Sequence, residues 1–167
     1  MFERERNLYA YNLEYTRRLV DGLDDAEIAQ IPSPGINPPI WILGHLAICT
    51  DYVLSTCGLP MALPEAWHRS FGPGSMPLAE GSVRPGVAEL MNALTAGHER
   101  ALQAATQLDP DRLAEKHTLG MELIRKTLPT VGDLIAHLLS THEAGHLGQF
   151  STWRRLKGLP QTAGFEL

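Results

Sequence analysis

The chain has 167 residues, 44% of them apolar, enough to build one core without disulfides, so a single domain over residues 1–167 is expected. Lys and Arg total 14 against 19 Asp and Glu, a net charge of -5 with no basic stripe to neutralise a row of phosphates, which argues against a nucleic-acid partner. The apolar run at residues 40–49 is too short to cross a bilayer, and residues 1–6 are charged where a signal peptide would be apolar, so the expected location is cytoplasmic and off the membrane.

Four stretches carry helical periodicity, with Pro and Gly gathered between them, and no alternating strand pattern competes. The first, residues 4–21, places Leu8, Tyr11, Tyr15 and Leu19 on one face and meets Gly22 where a helix commonly stops. After the loop at residues 31–36, Asn37 is a capping residue and Pro38 suits a first-turn position, opening a second helix that runs to about Thr56. This helix is apolar nearly all round, from Ile40 through Ile48, so it is expected to be the most buried. Cys49 and Cys57 lie on it, too far apart along its axis for a disulfide.

Residues 58–86 hold five prolines and no sustained period, and read as an ordered crossing connection that lets the third helix run parallel to the second. The third helix, residues 87–107, carries Val87, Leu90, Leu94, Ala101 and Ala105, is weakened by Gly97, and closes at Asp109-Pro110. A second connection at residues 111–129 leads to Thr130, which caps a fourth helix expected to reach Lys157 and end at Gly158. The tail after Pro160 reads as irregular.

Seven histidines are present, and helix faces separate them. Along the fourth helix, Ile135, Leu138, Leu139, His142, His146, Gln149, Phe150 and Trp153 recur at intervals of three and four, placing both histidines on the apolar stripe. Residues at i and i+4 have Cβ atoms about 6 Å apart, so two imidazoles can converge on one ion. His45 sits in the middle of the most apolar helix, where an unsatisfied ring costs about 1 to 3 kcal/mol, and the histidine pair is the obvious partner. His68, His98, His117 and His137 read as ordinary polar residues, although His117 is placed to approach an open site from a loop. The string His142-Glu143-Ala144-Gly145-His146 also matches H-E-x-x-H, in which Glu is a general base, but this chain has no strand to present a peptide substrate, and Glu143 reads equally well as a solvated flank residue.

The segments Trp41-Ile42-Leu43-Gly44-His45 and His142-Glu143-Ala144-Gly145-His146-Leu147-Gly148-Gln149, about a hundred residues apart, resemble the paired motifs of the DinB-like (DinB/YfiT) superfamily over nearly the whole chain. The resemblance implies an all-α four-helix bundle in up-down-down-up order, a metal site at His45, His142 and His146, and a homodimer. Characterised relatives include mycothiol-dependent isomerases and bacillithiol transferases. The expected activity is therefore a metal-dependent transferase acting on a small-molecule substrate with a low-molecular-weight thiol. Zinc or nickel suits the ligands best, and iron is admitted because imidazole discriminates weakly among them. Two alternatives stand beside it: a metal-dependent hydrolase using Glu143, and a non-catalytic binding protein stapled by its metal. The cationic cluster Arg154, Arg155 and Lys157 reads as solvent-facing charge that complements the helix dipole.

Overall fold

The computed structural model describes residues 2–160 and Thr162, so the tail after Pro160 otherwise lies outside the described residues. These residues form eight helices and no strand: α1 (Glu3–Val20), α2 (Pro39–Thr56), α3 (Glu65–Phe71), α4 (Val87–Thr106), α5 (Pro110–Ala114), α6 (Glu122–Thr127), α7 (Val131–Leu138) and α8 (Thr141–Leu156). Four are long. α2 packs on α4 and α8, and α1 packs on the same two helices. No described helix is long and apolar enough to cross a membrane.

The central helix is α2, with 16 of its 18 residues buried, which is why it shows no polar face in the sequence. It begins one residue later than expected: Pro38 is the N-cap and Pro39 fills the first turn, where a missing N–H costs nothing. Gly97 has a packing role rather than being a weak point of α4. A Cβ there would collide with the side chain of Thr50, so the glycine lets α4 approach α2 closely.

α1 is rotated from its expected face. Tyr9, Asn12, Thr16, Leu19 and Val20 are buried, while Leu8 and Tyr11 are about half exposed. The two buried polar residues are satisfied, since Thr16 Oγ1 donates to the Asn12 carbonyl at 2.8 Å and the Asn12 amide donates to the Ser140 carbonyl at 3.1 Å. That satisfaction removes the desolvation penalty that would otherwise keep them outside.

Both connections hold short helices. α3 lies in the first, fastened by Asp51 of α2, whose carboxylate accepts from the backbone of Ala62 and Leu63 and from His68 Nε2 at 2.8 to 3.0 Å. α5 and α6 lie in the second. Asp109-Pro110 opens α5 as well as following α4: Asp109 caps Asp111 N at 2.8 Å and Pro110 takes the first turn.

The expected fourth helix is broken. α7 starts at the Thr130 cap as the sequence indicates, with a reciprocal Thr130–Asp133 capping box, but ends at Leu138. Ser140, at φ -141° and ψ -86°, interrupts the ladder before α8 begins at Thr141. Nothing in the local residues demands this break; the contact from Asn12 on α1 holds it. Arg154, read as solvent-facing, is buried and donates through a guanidinium N–H to the Leu19 carbonyl at 2.8 Å, serving one of the unpaired carbonyls that end α1.

Candidate metal centre

α2 supplies His45, and α8 supplies His142 and His146 one turn apart. One nitrogen from each ring lies within 4.8 Å of the other two, and the ring centroids are separated by 4.6 to 5.3 Å. His45 is buried, while the other two are half-buried, so the cluster has an inner wall and an outer opening.

His45 is held on both sides. Its Nδ1 donates to the Phe71 carbonyl at 2.7 Å, which makes Nε2 the acceptor nitrogen, with the Cys49 Sγ 3.6 Å away. The Trp41 indole stacks on the imidazole at 4.7 Å with the planes 7° apart. This arrangement depends on Gly44, because a Cβ there would stand 2.5 Å from the Phe71 ring. The glycine thus lets α3 reach α2 at the point where its last carbonyl orients a candidate ligand.

His142 and His146 present the opposite condition. Their buried Nδ1 atoms have no hydrogen-bond partner among the described residues. Such atoms cost about 1 to 3 kcal/mol each unless something satisfies them. Burial, reinforced by the neighbouring histidines, lowers His142 to about 3, and burial with His45 lowers His146 to about 4 against the opposing pull of a hydrogen bond with Gln149. Burial also lowers His45, partly offset by its bond to Phe71. All three rings are therefore neutral at pH 7, the form that donates a lone pair to a metal.

Four histidines lie outside this triad, and the structure assigns each a place. His137, read as a bystander, has its ring 5.5 Å from that of His142, with Nδ1 within 2.7 Å of Thr141 Oγ1. On an unbroken helix, five residues would separate the two rings by well over a third of a turn; the break before Thr141 brings them together. His117 does not approach the cluster, since its Nε2 donates to the Leu128 carbonyl at 2.6 Å. His68 bonds to Asp51, and His98 is buried with its Nε2 2.7 Å from Glu143 Oε1.

Glu143 is thus neither solvated nor on the flank. It is buried on the core face of α8, with Oε1 engaged by His98, while Tyr9 stacks on that histidine at a centroid distance of 3.5 Å. Burial raises the Glu143 pKa, against the opposing pull of His98 and Asn12. Cys49 lies between the two regions, its Sγ 3.6 Å from His45 Nε2. Burial and the Glu143 charge push the Cys49 thiol far up, and burial raises Cys57 to about 11. Both cysteines are reduced, with no disulfide between them.

The sequence matches the DinB superfamily over residues 8–150. Among solved structures, it is similar to a conserved protein from Enterococcus faecalis, with a TM-score of 0.70 and 19% identity over 93% of this chain and 96% of that one. At that identity the likeness speaks for the fold alone. No curated protein matches the sequence.

Proposed function

We propose that this chain, which belongs to the DinB superfamily, holds one divalent transition metal through His45, His142 and His146 and acts as a transferase on a small molecule, with a low-molecular-weight thiol as co-substrate. The observation that carries the metal reading is the convergence of three neutral imidazoles, two of them with unpartnered buried nitrogens. Zinc or nickel fits this donor set best. A divalent ion there supplies Lewis acidity and lowers the pKa of a thiol so that it is anionic at neutral pH.

The rest is the work of the chain. Phe71 and Trp41 fix the plane and tautomer of His45, an outer support of the kind that raises a ligand's affinity. The resemblance supports an external thiol as the nucleophile, since Cys49 is buried in the core and Cys57 lies at the far end of α2 from His45. In the transfer, the incoming thiol forms a carbon–sulfur bond with the second substrate, and the departing group leaves with the thiol proton. The hydrolase alternative asks Glu143 to activate water, but this carboxyl is buried on the core face of α8, where His98 engages its Oε1. The homodimer and the up-down-down-up order belong to the same proposal; the long connection between α2 and α4 supports the latter.

Elemental analysis of protein purified without added metal or a nickel-leaching tag tests the reading. About one equivalent of transition metal in the wild type, lost in His45→Ala and His142→Ala, is the expected result. A wild type that is empty and binds neither zinc nor nickel on titration would overturn it. A thiol panel then tests transfer, with turnover only in the presence of a thiol as the expected result.

A further inference from the structure

His45 has two supports, and both lead to the end of α3. The Phe71 carbonyl accepts from its Nδ1, and the Trp41 indole lies along its ring. The indole has a support of its own. Trp41 Nε1 donates to Ser75 Oγ at 2.8 Å, and that hydroxyl donates onward to the Ser70 carbonyl at 2.9 Å. The Ser75 proton is thereby committed to α3, which leaves the oxygen to accept from the indole N–H. Ser70 and Phe71, the last two residues of α3, thus hold one imidazole by two separate routes. The local sequence puts Ser75 in place. α3 stops at Phe71, and Gly72-Pro73-Gly74-Ser75 turns the chain back, with Ser75 N donating to the Gly72 carbonyl at 3.0 Å. Proline suits the second position of such a turn, and Gly74, at φ 81°, supplies the left-handed backbone at the third. On its other side α3 is tied to α2 by the fully buried Asp51 carboxylate, through His68.

Two physical effects connect this relay to an ion at the cluster. A ring already held in one plane loses less freedom when it binds than a ring free to turn, so its affinity is higher. The stack adds to this. A metal-bound imidazole carries part of the ion's positive charge, and the electron-rich face of an indole attracts such a ring more strongly than a neutral one. Both effects favour the metal-loaded state, and both require the indole to stay parallel to the imidazole, from which it departs by 7°. Trp41 also meets the His146 ring at 6.1 Å, so its orientation bears on a ligand from each helix.

Resting on the metal reading of the three-histidine cluster, we propose that Ser75 is a positioning residue for it: its hydroxyl, acting through the Trp41 indole N–H, sets the plane of His45 and raises the affinity for a divalent transition metal. Zinc affinity by competition titration and the ligand-field bands of cobalt-substituted protein test this on variants shown to be folded by circular dichroism. Ser75→Ala should weaken zinc about tenfold and shift the cobalt bands, whereas Ser75→Thr, which keeps the hydroxyl, should stay within about threefold of the wild type. The loss should depend on the indole N–H. In Trp41→Phe, which keeps an aromatic ring but lacks the donor, adding Ser75→Ala should change zinc affinity by less than about twofold. A serine that only braces its loop would lower the melting temperature of Ser75→Ala while leaving zinc affinity and the cobalt bands as in the wild type, and that result overturns the proposal. A loss as large in the Trp41→Phe background as in the wild type also overturns it, because Ser75 would then act by a route other than the indole. Either result leaves the metal reading standing. A wild type that binds neither zinc nor cobalt overturns the metal reading itself, and the role of Ser75 falls with it.

Discussion

The two faces of α8 treat their polar groups in opposite ways. On the core face, Glu143 meets His98, Tyr9 covers that pair, and the cluster closes on itself except for the second carboxylate oxygen. On the outer face, His142 and His146 stand a turn apart with buried Nδ1 atoms that no described residue satisfies, beside two glycines with empty space above them. Histidines therefore serve two purposes in one helix neighbourhood. Those with an internal partner hold the fold, and those without one are the residues proposed to hold the metal.

Substitutions on the two faces should separate cleanly. The largest expected effect is on metal: His142→Ala should lower zinc affinity by more than about 100-fold, beyond the loss typical of an outer support, as read by competition titration. Its metal-free melting temperature should hold or rise, because an unsatisfied buried ring has gone. Glu143→Ala should do the reverse, leaving His98 buried without its partner at about 3 kcal/mol and lowering the melting temperature by roughly 10 °C in a thermal scan. If both variants lost metal and stability alike, the contrast between the faces would fail.

Gly44→Ala offers an intermediate test. Pushing the Phe71 ring away should loosen the carbonyl that orients His45 and weaken zinc about tenfold, with every ligand still present.

Acidity sharpens the same comparison. With His142 and His146 lowered to about 3 and about 4, unfolded chains take up protons near pH 6.5 while the metal-free native cluster does not. Stability is therefore fully present above about pH 6.5 and declines as pH falls toward 4 and 3, because the unfolded state binds more protons. Proton competition for zinc, by contrast, should be weak down to about pH 5 and steepen below about 4, measurable by titrating affinity against pH. Onset at pH 6.5 would mean that the rings are solvated rather than desolvated.

The smallest expected effect is a gain. Gly148→Ala should raise helix stability by about 1 kcal/mol, or roughly 2 to 4 °C, since its Cβ meets nothing. A loss of stability would place an unseen steric demand at that position.

Much of this was written in local pattern. The all-apolar stretch at residues 40–48 marks α2 as the buried helix because a helix that must contact neighbours on every side has no face left for polar residues. The i, i+4 spacing of His142 and His146 places them together because helical geometry is local, and Thr130 announces the start of α7 through its own capping chemistry. Other features had no local signature. Residues 130–157 look like one helix, yet a hydrogen bond from Asn12 holds a break that carries His137 up to His142. The pattern in α1 was ambiguous because tyrosines suit either face, and internal partners for Asn12 and Thr16 decided the rotation. Glu143 could not be placed without knowing that His98, 45 residues earlier, would face it. By itself the sequence determined what depends on spacing along a helix: the buried helix, the histidine pair and the Thr130 cap. Only the tertiary structure decided what depends on a distant partner, because the desolvation cost that drives a polar group inside or out is set by the group it meets there.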